Sequence, residues 1–221
     1  MPYKKVASGV YLVGGDTLSH GNDCLVYLVA GPPAVLIDAG ANRMPHRILD
    51  NLAEVIHDVQ EISFCVLTHC HVDHIGGAEQ IREVTQSRLT AHEADAEAIQ
   101  SGDPVRTAAK MYGIKLPKIE IDEVLYGDSG VCGELQWLHT PGHTPGSIAL
   151  YFDSPDGRIL FGQDVHGPFL PEFGSDLDLW RASMEKLLAL EADILCEGHF
   201  GVMRGKDEVA RFIRSHLEAN Q

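Results

Sequence analysis

The segment "ISFCVLTHCHVDHIGG" at 62–77 constrains this chain more than any other. Residues 62–68 form a short, almost wholly apolar run of the kind that makes a buried strand. It leads directly into His69, His71, Asp73 and His74. In an extended segment alternate side chains share a side, so His69 and His71 point to one place and Cys70 points away. The chain must then turn for Asp73 and His74 to reach a neighbouring position. Neutral imidazole and carboxylate are good ligands for zinc and other first-row metals. The alternative is a polar loop of solvated histidines, but each such group buried at a strand end needs its own partner.

Further ligands are expected elsewhere, since one such cluster does not complete two metal sites. "LHTPGHTPGS" at 138–147 places His143 in a Gly/Pro turn between two strands. "ILFGQDVHG" at 159–167 sets Asp164 just after an apolar strand, and "DILCEGHFG" at 193–201 sets His199 two residues beyond another. All three lie on loops at strand ends, where a rigid scaffold holds side chains while leaving access open.

Periodicity predicts further strands at 9–13, 24–30, 34–38, 88–92, 119–125, 134–139, 147–153, 158–161 and 193–197. It predicts helices at 45–59, 76–86, 93–112 (broken around "SGDP"), 178–190 and 206–219. Many strands with interspersed helices and tight hairpins imply two sheets covered by helices, in place of a plain doubly wound parallel sheet. No linker or low-complexity tract divides the 221 residues, so the expectation is a single domain over 1–221.

The formal net charge is -15, which repels phosphate backbones and disfavours nucleic acid as a partner. No apolar run is long enough to span a bilayer, and no apolar stretch follows the basic start, so neither membrane nor secretion is expected. The five cysteines form no C-x-x-C pair and read as free thiols of a reducing compartment. The expectation is a cytoplasmic protein, with a homodimer as the commonest kind of assembly.

The combined set T-H-x-H-x-D-H-x-G-G, P-G-H-T-x-G-S, a strand-end aspartate and G-H resembles the metallo-β-lactamase-fold superfamily. The likeness runs from "VLIDAG" at 35–40 to "CEGHFG" at 196–201. It implies a four-layer αβ/βα sandwich of two mixed β-sheets flanked by helices, with the metals at one edge between the sheets. It implies that His69, His71 and His143 bind one divalent ion, that Asp73, His74 and His199 bind a second, and that Asp164 bridges them. Zinc is the first expectation, with iron or manganese as alternatives. Asp38, at the end of "VLID", matches the family's aspartate that orients a ligand histidine or the ligand loop. A turn or cap residue before "AG" is its other reading.

The implied chemistry is attack by a metal-bridging hydroxide on a carbonyl or phosphoryl centre, with Asp73 also directing the nucleophile. His166 is a candidate proton donor or substrate contact, and otherwise a structural loop histidine. In the loop 166–180, Phe169, Leu170 and Phe173 either line an apolar pocket or pack the loop onto the domain. Asp164 argues against β-lactamase activity, and the charge argues against the tRNA-processing nucleases of this fold. The glyoxalase II enzymes share the ligand set but usually carry an added C-terminal helical region, for which this chain ends too soon. The flavodiiron reductases usually have Glu where this chain has His71. The expected activity is hydrolysis of a small-molecule ester, thioester or lactone, the glyoxalase II and lactonase-like ligand set. An iron-dependent oxidoreductase or dioxygenase, or a phosphodiesterase, is the alternative.

Overall fold

The computed structural model describes residues 2–42 and 44–220. Two sheets face each other. The first has seven strands in sequence order: β1 (Lys4–Ala7), β2 (Val10–Gly14), β3 (Val26–Val29), β4 (Ala34–Ile37), β5 (Ile62–Val66), β6 (Arg88–His92) and β7 (Glu123–Leu125). Pairing is antiparallel from β1 to β4 and parallel from β4 to β7. The second sheet has six strands: β8 (Ser129–Cys132), β9 (Leu135–His139), β10 (Ile148–Ser154), β11 (Gly157–Gln163), β12 (Ile194–Glu197) and β13 (Val202–Arg204). Only its β11–β12 pair is parallel.

Strand alternation builds the layers. In β3, Val26 and Leu28 face helices α1 (His46–Val55), α3 (Ala78–Thr85) and α4 (Glu93–Ser101), while Tyr27 and Val29 face the other sheet. The core between the sheets joins Ile37, Phe64 and Val66 to Trp137, Leu150, Ile159 and Phe161. Leu160 and Leu195 turn outward to meet Trp180, Met184 and Leu187 of α6 (Leu177–Ala189) and Val209 and Ile213 of α7 (Lys206–Ala219). Helix, sheet, sheet and helix thus stack in the four layers expected, and no helix among the described residues is long and apolar enough to cross a membrane.

Three strands escape the periodicity: β1, β8 and β13 are sheet edges with exposed positions, as in the alternation of exposed and half-buried Ser129, Gly130 and Val131. An edge strand has too little buried surface to carry an apolar pattern. The expected strand at 119–125 shortens to β7, and the expected helix at 93–112 divides into α4 and the single turn α5 (Ala109–Tyr112).

Candidate metal centre

Every candidate ligand stands at one end of the sandwich, on a segment leaving a strand. After β5 the chain runs through His69 and His71 and then turns in the four-residue α2 (Val72–Ile75), which carries Asp73 and His74. His143 lies in the β9–β10 turn, Asp164 follows β11, and His199 sits between β12 and β13. The "GG" after the cluster has a steric cause. A Cβ at Gly76 would lie 2.2 Å from the Ala41 carbonyl oxygen, so this turn docks backbone to backbone beside the end of β4.

Four of the histidines converge on Asp164, whose two oxygens divide them in pairs. Oδ2 lies 3.7 Å from His69 Nε2 and 3.4 Å from His143 Nε2. Oδ1 lies 3.2 Å from His74 Nε2 and 3.3 Å from His199 Nε2. His143 Nε2 and His71 Nδ1 approach to 2.9 Å. Asp73 Oδ2 lies 3.6 Å from His74 Nε2 and 3.4 Å from His199 Nε2. The ligand atoms of His69, His71, His143 and Asp164 lie within 4.8 Å of one another, and those of Asp73, His74 and His199 do likewise.

Outer partners fix the rings. Asp38, in a left-handed conformation at φ 64°, faces His74 Nδ1 at 2.7 Å through Oδ2. Its Oδ1 accepts from the Thr68 amide at 2.8 Å, and the Gln163 amide group donates to Oδ2. Asp38 therefore orients both a histidine and the ligand loop. His143 Nδ1 faces the Pro168 carbonyl at 3.1 Å, which directs Nε2 inward. Asp95, fully buried on α4, accepts from the Cys70 amide at 2.9 Å, Thr144 Oγ1 at 2.6 Å and the Gly146 amide at 2.9 Å. It ties the segment of His69 and His71 to the turn of His143.

Glu197, also fully buried, faces His166 Nδ1 at 2.7 Å and accepts the amides of His199 at 2.6 Å and Phe200 at 2.8 Å. His166 thus sits at the site, its ring 5.1 Å from that of His199. Neither Asp95 nor Glu197 has ligand-like spacing. The available signal is an acid on the alanine-rich buried face of α4, beside Ala98 and Ile99, and an acid closing the apolar run of β12. Tyr112 was equally hidden. It lines a cavity of about 380 Å³ with His199, Asp23 and Leu25.

Phe173 is buried with its ring 4.5 Å from that of His71, and Phe169 packs 4.8 Å from Trp180. Both therefore pack the 166–180 loop behind the ligands. Cys70 and Cys196 are buried, as strand alternation suggests.

The residues suit divalent cations. His69 Nε2, His71 Nε2, His74 Nε2 and Asp164 Oδ1 are buried without a hydrogen-bond partner, each an unfavourable state unless a ligand takes it up. A Cβ at Gly198 would lie 2.6 Å from Asp164 Oδ1, so only glycine leaves the space open there. The donor set is nitrogen and oxygen, as zinc and its neighbours prefer.

Electrostatics separates the two groups of histidines. Burial, joined by the neighbouring histidines, holds His69 well below the ordinary imidazole range, and burial with His143 brings His71 down to about 3. Burial opposes protonation of His74 as well, yet Cys24, Asp164, Asp38 and Asp73 outweigh it and hold its pKa well above the usual value. Burial opposes protonation of His199 too, but the adjacent carboxylates of Asp164 and Asp73 outweigh it and raise its pKa to about 10. Burial works against the Asp164 carboxylate, but the neighbouring His74, His143 and His199 outweigh it and hold it well below the usual range.

Residues 21–199 match the family described as the metallo-beta-lactamase superfamily. The chain is 29% identical to the probable metallo-hydrolase YflN of Bacillus subtilis, over 94% of this chain and 92% of that protein. It is 31% identical to a hydroxyacylglutathione hydrolase of Cereibacter sphaeroides, over 62% of this chain and 48% of that protein. The fold is similar to that of BJP-1, a subclass B3 metallo-beta-lactamase of Bradyrhizobium japonicum, with TM-score 0.78, 23% identity and coverage of 99% and 92% of the two chains.

Proposed function

The chain belongs to the metallo-beta-lactamase superfamily and is a metal-dependent hydrolase, and from that premise we propose that it cleaves a small-molecule ester, thioester or lactone at a dinuclear centre. His69, His71 and His143 would hold one divalent cation, Asp73, His74 and His199 the other, and Asp164 both. The observation that carries this reading is the division of the Asp164 oxygens, Oδ2 toward His69 and His143 and Oδ1 toward His74 and His199. The likeness to a hydroxyacylglutathione hydrolase supports an acyl substrate. Zinc is the preferred metal for this nitrogen and oxygen set.

Bound divalent cations supply Lewis acidity and lower the pKa of coordinated water toward neutrality. The chain's own residues do the rest. Asp38 and the Pro168 carbonyl fix His74 and His143 with Nε2 inward. His199 has the most accessible ligand side chain, at 32%, so substrate approaches on its side. His166, its Nδ1 held by Glu197, delivers a proton to the leaving group. The Tyr112 phenol, kept protonated by burial and the nearby Asp73 charge, donates a hydrogen bond to the substrate oxygen.

The decisive measurement is metal content together with turnover of thioesters, lactones, phosphodiesters and β-lactams, with and without a chelator. About two zinc ions per chain and chelator-sensitive acyl hydrolysis are expected. Iron with redox-dependent absorbance and no hydrolysis would replace this reading with that of an oxidoreductase.

A further inference from the structure

An aromatic shelf adjoins His199 and has no part in holding the candidate ligands. Phe200, the next residue, is 59% exposed. An exposed phenylalanine needs no explanation by itself. This one is fixed, because its amide bonds the buried Glu197 carboxylate and its ring meets three others. The ring centroids lie 5.0 Å from His166, 5.8 Å from Phe212 and 5.8 Å from His216. Phe212 and His216 stand one turn apart on α7, with centroids 4.7 Å apart. His166 in turn meets His199 at 5.1 Å, so the rings run continuously from the candidate centre to solvent.

His199 also lines a cavity of different character. That cavity is lined by Asp16, Asn22, Asp23 and Tyr112, and is mainly polar. A scissile bond held at His199 therefore has both an aromatic surface and a polar cleft within reach. Rigid exposed rings bind flat apolar groups with little loss of side-chain freedom, and ring pairs at these separations attract.

We propose that the shelf of His166, Phe200, Phe212 and His216 is a specificity subsite for an aromatic ring carried by the substrate beside the scissile bond. The proposal rests on the acyl-hydrolase reading above and names its substrate class as aryl-bearing esters and thioesters.

The test compares three thioesters by release of free thiol: the acetyl thioester of methanethiol, its phenylacetyl counterpart, and the acetyl thioester of benzyl thiol. The better of the two aromatic compounds should exceed the small one in kcat/KM. Phe200→Ala should lower that ratio about 10-fold, the scale of one aromatic pair, and Phe200→Tyr should restore it. Equal kcat/KM for all three, or a ratio unmoved by Phe200→Ala, overturns the subsite. A binding arm uses phenylacetone, which has no bond to cleave, followed by saturation-transfer NMR. Binding weakened about 10-fold by Phe200→Ala supports the shelf, and unchanged binding overturns it. Absence of chelator-sensitive turnover with these thioesters and with the matching esters and lactones would sink the acyl-hydrolase reading instead, and the binding arm would still decide the shelf.

Discussion

Asp38 Oδ2 stands 2.7 Å from His74 Nδ1, and both side chains are wholly buried. The same carboxylate receives the Thr68 amide, the Thr68 hydroxyl and the Gln163 side chain, so with His74 its loss strands four donors. Asp38→Ala should weaken cation affinity roughly 10- to 100-fold, the range for an outer partner of a metal-ligating histidine. Competition against a chromophoric chelator measures it. Unchanged affinity would remove Asp38 from the site.

Cation loading should release protons. In the metal-free protein, His199 has its pKa raised to about 10 and His74 lies well above the usual range, so both carry protons at pH 7. His69 and His71 are already neutral there and have none to release. Loading at pH 7 should therefore expel protons chiefly from the Asp73 side. Titration calorimetry in buffers of different ionisation enthalpy reads the number, which should decline as pH rises through about 10. For stability the sign is fixed by the raised pKa. His199 stabilises the metal-free fold fully below its ordinary 6.5, and that contribution is lost as pH rises through about 10.

His166→Ala should retain metal and lose turnover. A general acid contributes on the order of 10²- to 10⁴-fold, and most when the leaving group is poor. The loss should therefore be large for alkyl esters and small for a nitrophenyl ester. Equal losses for both would make His166 a structural residue of the Glu197 network.

Asp95→Ala should destabilise the fold by about 3 kcal/mol or more, because it leaves the amides of Cys70 and Gly146 and the hydroxyl of Thr144 without their acceptor. Denaturant titration of the metal-free variant gives the value. The same variant should bind cations more weakly, since the segments holding His71 and His143 lose their common tie.

The histidines and aspartates of the candidate centre were legible because they gather on the segments that follow apolar strands, four of them within 69–74. The four-layer arrangement was legible from the alternation of strands such as β3. Other features depend on partners far away in the chain. Asp95 gains its role from residues 70, 144 and 146, and Glu197 from residue 166, separations that no local period records. The short α2 escaped because its turn is imposed by docking of Gly76 against Ala41, a tertiary contact. The 166–180 aromatics left two readings open, and the burial of Phe173 together with the packing of Phe169 on Trp180 decides for packing.

The division of ligands by sheet has a further consequence. His69, His71, Asp73 and His74 leave the first sheet, while His143, Asp164 and His199 leave the second. Neither half of the chain owns a complete set on either side of Asp164. The candidate centre is a seam, completed only where the two sheets meet across their shared core, so cation binding there should report on the packing of the whole sandwich.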